Sequence, residues 1–341
     1  MKVFHWQSKN GNFGDDLNLW LWPALLGDVM QREPESTLVG VGTVLSSRHL
    51  PSEGRIYTFG SGTGYGNISP EIYKNFENIY GVRGPLSAQV LGLDSSYVLA
   101  DPAILIPDII KKAEADSDNT KSVIFIPHIE SLELADWQKI CDAADIELVK
   151  ATDESKAVIN KIANASLVLA ESMHAAIIAD AYRVPWIPVW SSQKINLFKW
   201  SDWALAVGAT VKPVKLPPPT FAIKFNNFSA NVSAFNDADL KSTNFDYTID
   251  PASVVEEYKN LVNKRNGKFR TFARKCLNKI KPIALILSPF ITKVIKSEEK
   301  TIRSLTELSK LQGFLSDTGS LESAKERLRS RLIEFKKDIS E

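Results

Sequence analysis

In Leu167-Val-Leu-Ala-Glu-Ser-Met-His-Ala-Ala-Ile-Ile-Ala-Asp180, the polar residues Glu171, Ser172 and His174 fall where a buried strand ends and an almost wholly apolar helix begins. Burying unpaired polar groups is costly, so this trio must be hydrogen-bonded or functional. A histidine there can exchange protons near neutral pH, although packing alone accounts for many such residues. Arg83, in Gly81-Val-Arg-Gly-Pro-Leu-Ser87, lies at another strand's carboxyl end, with Pro85 opening the next helix. A fixed guanidinium can clamp a carboxylate or phosphate through paired hydrogen bonds, or form a surface salt bridge. Asn10-Gly-Asn-Phe-Gly-Asp-Asp-Leu-Asn18 marks a strand-to-helix turn, with Asp15 or Asp16 capping the helix. Its functional reading puts Asn12, Gly14 and Asp15 at the mouth of a cleft, where helix-start amides can hold an anion.

Other signals are weaker. The loop Gly60-Ser-Gly-Thr-Gly-Tyr-Gly66 has glycine at every second position. It fits neither the dinucleotide fingerprint nor the Walker pattern, so Gly60, Ser61 and Gly62 belong to a flexible turn or a ligand loop. His128 follows one predicted strand and His5 lies near the end of another, so with His174 three of the four histidines sit near strand ends. No HExxH-type spacing supports a metal site, and none is expected. Asp116/Asp118 and Asp237/Asp239 read as solvent-exposed loop carboxylates. Trp186, Trp190, Trp200 and Trp203 have sugar-stacking faces, but core packing is the plainer role.

These residues need elements to hold them. Strands are predicted at Lys2–Trp6, Leu38–Leu45, Ile56–Phe59, Ile79–Val82 and Tyr97–Leu99, with helices at Asp15–Leu26 and Pro85–Leu91. The loose acidic stretch Ala113–Thr120 precedes a second series. It comprises strands Ser122–Ile126, Glu147–Val149, Leu167–Ala170 and Trp186–Val189, and helices Ala135–Ala144, Asp153–Ala163 and His174–Tyr182. The alternation predicts α/β architecture: two Rossmann-like domains facing across a cleft, with ligands beyond the strand carboxyl ends. The expected units are 1–115, 120–212, a connector or crossover segment at 213–262, and a basic amphipathic and helical extension at 263–341. Phe221–Asp250 shows no period and is expected to be irregular, while Ser320–Glu341 carries the helical stripe Leu321, Leu328, Leu332 and Phe335.

Composition narrows the classes. The 341 residues carry 41 Lys+Arg, 40 Asp+Glu and a formal net charge of +1. Balanced charge and 44% hydrophobic content argue against a generic nucleic-acid binder and a disordered chain. Two cysteines cannot build a disulfide framework or a Cys-rich zinc site. The start lacks a secretion-signal core, and no window reaches the ~20 apolar residues of a membrane span, so a cytoplasmic protein is expected. Near-neutrality is a cancellation. Residues 1–258 hold 21 basic and 31 acidic groups, whereas Lys259–Lys296 hold 11 basic and no acidic ones. There Phe269, Phe272, Cys276, Leu277 and Ile280 form a stripe between cations, so 266–296 reads as an interfacial helix for an anionic membrane or as a solvated basic face.

Taken together, Asn12-Phe-Gly-Asp-Asp16, the glycine loop from Gly60, Val82-Arg-Gly-Pro-Leu-Ser87, Asp101-Pro102 and Glu171-Ser-Met-His174 resemble the polysaccharide pyruvyl transferase family. Ala179–Pro185 and Lys194…Lys199-Trp-Ser-Asp-Trp203 extend the likeness over Lys2–Gly208, closest to the succinoglycan-type ketal-transferase branch. The resemblance implies a GT-B-like fold and work at the inner face of the cytoplasmic membrane. It implies transfer of the enolpyruvyl unit of phosphoenolpyruvate to two hydroxyls of a lipid-linked sugar, leaving a cyclic ketal and free phosphate, with no other cofactor. His174 would be acid, base or phosphate contact, Arg83 the donor clamp, and Asp15 the group that positions or deprotonates the acceptor. His128, Ser172 and Lys194 would assist at the donor, and Asn12, Gly14, Asp16, Gly60, Ser61 and Gly62 would contribute to substrate binding. Many relatives have Arg-Leu-His where this chain has Ser172-Met173-His174, so a cation must come from elsewhere, such as Lys194 or Arg183. Replacing His174 or Arg83 with alanine is expected to abolish activity and leave the fold intact. Two alternatives stay open: a nucleotide-sugar glycosyltransferase of the same fold, and a non-catalytic scaffold of a polysaccharide assembly complex.

Overall fold

Runs such as Leu167-Val-Leu-Ala170 and Val123-Ile-Phe-Ile126 lack polar alternation, as strands covered on both faces require. In a computed structural model describing residues 1–47, 49–112, 122–192, 196–209, 211–233, 255–256, 258–259 and 268–341, they are central strands. The first half runs β1 (Lys2–Phe4), α1 (Phe13–Asp16), α2 (Leu21–Leu26), β2 (Thr37–Val39), β3 (Ile56–Ser61), α3 (Pro70–Lys74), β4 (Ile79–Val82), α4 (Pro85–Leu91) and α5 (Ile106–Ile109). The second runs β5 (Val123–Ile126), α6 (Ile129–Leu132), α7 (Trp137–Ala143), β6 (Glu147–Leu148), α8 (Ser155–Asn164), β7 (Leu167–Ala170), α9 (Met173–Ala181), β8 (Trp186–Trp190), α10 (Leu197–Ala206) and β9 (Val214–Lys215). Helices α11 (Phe221–Ser233), α12 (Lys268–Ile295), α13 (Ser297–Leu308) and α14 (Thr318–Asp338) follow.

The fold is α/β with parallel sheets. Strands β1-β2-β3-β4 form one sheet in that order, and β6-β5-β7-β8-β9 form the other. Every pairing is parallel, so the loops after the strands gather at one edge of each sheet. The largest apolar cluster joins the halves, running from Phe13, Leu17 and Trp22 to Ile126, Ile177 and Trp186. Helix α14 returns to the first half. Its buried Phe335 sets its ring 4.7 Å from Tyr80, 5.3 Å from Tyr57 and 5.9 Å from Phe59. Arg329 of α14 also pairs with Asp108 at 2.8 Å.

Three expectations change. Tyr97–Leu99 is not a strand: a short turn, Ser95–Tyr97, leads to a single bridge between Val98 and Val82. The helix expected over Asp15–Leu26 is broken around Asn18. That side chain is fully buried, donates to the carbonyls of Asp15 and Val41, and accepts from Val41 N and Trp22 Nε1. Phe221–Ser233 is helical, not irregular. Its first amides, on Phe221 and Ala222, donate to Thr292 Oγ1 and Ser288 Oγ of α12, each at 2.9 Å. Lys194, the stretch 113–120 with Asp116/Asp118, and Asp237/Asp239 lie outside the described residues.

Candidate active site

A cavity of about 470 Å³ opens where the carboxyl ends of both sheets converge. The β1–α1 loop and α1 supply Trp6, Asn12 and Asp15 to its wall, the loop after β2 supplies Thr43, and the glycine loop supplies Tyr65. The second half supplies His128, Ser172 and His174, with Lys199 from α10. The β1–α1 loop is fixed to the second half by Phe13 N donating to Ala151 O at 2.9 Å and Ser155 Oγ donating to Phe13 O at 3.1 Å.

His174, at the second position of α9, is 9% exposed. Its Nε2 stands 3.7 Å from Asp101 Oδ2, and among the described residues neither buried atom has a hydrogen-bond partner. Gly14 packs against the same ring: a Cβ there would come within 2.1 Å of His174 Nδ1. Glycine at this position therefore sets where the imidazole sits.

Asp15 Oδ2 accepts from Asn12 Nδ2 at 2.6 Å. Burial pushes its carboxyl above the ordinary carboxylate value, against the pull of the His174 and Lys199 charges and the Asn12 hydrogen bond. Lys199 donates to Tyr65 Oη at 2.7 Å and lies 4.8 Å above that ring's centre. A carboxyl, an imidazole and an ammonium thus face one cavity.

Glu171 frames the second-half wall from below. Fully buried, its carboxylate accepts from His128 N at 3.0 Å, from Ser191 N and Oγ at 2.9 and 2.7 Å, from Ser192 N at 3.2 Å, and from Ser131 Oγ. It joins the loops after β5, β7 and β8, which is why the polar trio at this junction can be buried. Ser172 N donates to Ile126 O at 3.2 Å, and the Ser172 side chain does not cap α9.

Arg83 is not at the cavity surface. It is fully buried behind the wall, 3.2 Å from Asp202 of α10, and donates to Thr43 Oγ1 at 2.6 Å and Thr63 O at 3.2 Å. Asp202 completes its shell by accepting from Ser87 N and Oγ at 2.9 and 2.6 Å. Buried rather than on the surface, this ion pair holds α10 against the first sheet. Gly62 makes room for it, since a Cβ there would fall 2.3 Å from the guanidinium carbon.

Gly60 and Ser61 are also buried beneath the wall, with Ser61 Oγ donating to Gly42 O at 3.2 Å. Asp16 accepts from Asn12 N at 3.2 Å and does not line the cavity. Arg183 is bound to Ser316 and Thr318 and is not part of the cavity wall. His5 is absent from the cavity wall, whereas His49 is part of it. Trp186, Trp200 and Trp203 are core residues with ring centres 5.4–6.4 Å apart.

Trp6, Thr43, Tyr65 and Lys199 line the cavity and Asp101 backs it, roles that no local sequence pattern assigns. Lys199 and Asp101 stand inside the segments that carried the resemblance, and Tyr65 is the one large side chain in Gly60–Gly66. Those were the available signals.

Residues 48–193 match the family model described as polysaccharide pyruvyl transferase. The chain is also 43% identical over 222 residues to the succinoglycan biosynthesis protein ExoV of Rhizobium meliloti (strain 1021), covering 65% of this chain and 70% of that protein. The chain belongs to the polysaccharide pyruvyl transferase family. Within that family its likeness is to the succinoglycan-type branch. No solved structure matches it. The stretch matched by the family model contains His128, Glu171 and His174, while Asp15 and Lys199 lie on either side of it. The cavity is therefore assembled from matched and flanking residues alike.

Proposed function

We propose that this pyruvyl transferase moves the enolpyruvyl unit of phosphoenolpyruvate onto two hydroxyls of a sugar in a lipid-linked exopolysaccharide repeat, forming a cyclic ketal and releasing phosphate. The supporting observation is the convergence of Asp15, His174 and Lys199 on one cavity at the ends of both sheets. In this reading 1–115 and 120–212 are two Rossmann-like domains in a GT-B-like arrangement, and the enzyme works at the cytoplasmic membrane's inner face.

The donor is an anion with a carboxylate and a phosphate. Lys199, steadied by Tyr65, supplies a cation of the kind missing at Ser172, and the uncapped first turn of α9 supplies amides. Protonation of the donor's methylene carbon leaves an oxocarbenium-like centre at its neighbour. His174 supplies that proton, with the Asp101 carboxylate 3.7 Å behind its Nε2. Asp15 takes the proton of the first attacking hydroxyl, forming one C–O bond. Phosphate leaves with the proton held by Asp15, which regenerates the cationic centre; the second hydroxyl attacks it, closes the ketal and gives its proton to His174, restoring the acid. Trp6, half-exposed at the cavity wall, offers a face for the acceptor sugar.

Donor competition tests this. Purified protein with lipid-linked glycan should release phosphate from phosphoenolpyruvate, and Lys199→Ala should raise KM for that donor more than tenfold. Turnover of a sugar nucleotide in place of phosphoenolpyruvate would assign the cavity to a glycosyltransferase.

A further inference from the structure

Helix α12 reverses the usual arrangement of a surface helix. Among the described residues its buried positions are Leu277, Ala284, Ser288 and Thr292, at 9%, 5%, 6% and 7% exposure. Spaced seven, four and four residues apart, they share one face, and Ser288 and Thr292 cap the start of α11. The protein-facing seam is thus mostly small and hydroxylated. The outward face is apolar: Ile286 is 78% exposed, Phe290 73%, Val294 66% and Ile283 57%. A helix ordinarily turns such a stripe toward the core.

Cations flank this stripe. Lys275, Lys279 and Lys293 are exposed, and among the described residues none of the three forms an ion pair. No acidic residue occurs from Lys259 to Lys296. Among the described residues no helix is long and apolar enough to cross a membrane. Exposed apolar side chains with flanking lysines instead suit a helix lying in the plane of an anionic headgroup layer. A second copy is a poor occupant, because a two-fold contact would bring identical unneutralised lysines together.

We propose that α12 docks the protein on an anionic lipid bilayer, with Ile283, Ile286, Phe290 and Val294 immersed and the flanking lysines at the headgroups. Its partner helix ties this face to the cavity. Asn227 Nδ2 of α11 donates to Ser191 O at 3.0 Å, and Ser191 N donates to Glu171 beneath the site. A bilayer-docked α12 therefore braces the wall against which a lipid-linked acceptor would be handled. The docking itself rests on the helix alone, so vesicle binding tests it without turnover.

The test is co-sedimentation of the full chain with large vesicles of phosphatidylglycerol in phosphatidylcholine, beside phosphatidylcholine alone. The protein should partition onto the anionic vesicles and be released by salt. The pair Ile286→Glu and Phe290→Glu should lower the partition coefficient more than about tenfold, and Lys279→Gln with Lys293→Gln severalfold. These side chains point outward, so circular dichroism and Tm should match the parent. Independently, Phe290→Trp emission should shift to the blue on anionic vesicles. Absent binding, equal binding to neutral vesicles, binding indifferent to the substitutions, or an unshifted Phe290→Trp spectrum would overturn the proposal. So would a dimer that Ile286→Glu dissociates in a protein that ignores vesicles, since the face would then belong to a second copy.

Discussion

Asp15 and His174 are held at a cost that packing alone does not explain. An ionised Asp15 is buried against its preference, because burial raises its carboxyl above the usual value. A carboxyl with a raised folded-state pKa contributes stability that is fully present below the unfolded value, ~4, and lost as pH rises through the folded one. At neutral pH the charge therefore destabilises the fold. Asp15→Asn should lower kcat by about 10²–10⁴-fold if Asp15 is the base, yet leave Tm unchanged or higher at pH 7. Any gain in Tm should vanish below about pH 4, a sign that melting curves across pH can check. The acid limb of kcat/KM should correspondingly lie above the ordinary carboxylate range. At this scale the sequence disclosed residue types better than directions. His174 and Asp15 were legible because polar side chains at strand ends must be paired or used. Arg83 has the same signature but turns inward, because its partner, Asp202, lies far along the chain where no local pattern links them.

Elements explain why the cavity holds its shape. Arg83 at the end of β4 and Asp202 in α10 form a buried pair that joins the two halves just behind Thr43. Removing one member leaves an uncompensated buried charge, so Arg83→Ala should destabilise the protein by about 3–5 kcal/mol in denaturant unfolding. Lost activity should accompany the lost fold, whereas a donor clamp would lose activity alone. Strand β4 and helix α4 could be read directly, with Pro85 at the first helical position and Gly92 ending the helix at φ +74°. Helix α11 could not, because its Asn-, Ser- and Phe-rich sequence has no clear period and its first amides are capped by hydroxyls of α12. A cap supplied from a distant helix leaves no local signal.

Across the whole molecule, the carboxyl ends of two parallel sheets supply one cavity, and the last helix packs onto the first sheet. That return makes α14 part of the core: Leu321, Leu328 and Phe335 are fully buried. Phe335→Ala should cost about 3–5 kcal/mol, read as a lower urea midpoint, although the residue lies outside the family-matched stretch. The apolar stripe of α14 was visible in the sequence, but its destination was not, since a helical period names a buried face without naming what covers it. The alternation of strands and helices revealed the parallel α/β plan, and the polar residues at strand ends revealed most of the second-half wall. The first-half contributions of Trp6, Thr43 and Tyr65 emerge only when the loops are folded together. The central claim is tested most directly by the mass of the lipid-linked glycan after incubation with the protein and phosphoenolpyruvate. A gain equal to pyruvic acid less one water, with one phosphate released per ketal and no gain with His174→Ala, is the predicted result. An unchanged glycan mass with the parent protein, or a gain equal to a sugar residue from a nucleotide donor, would contradict it.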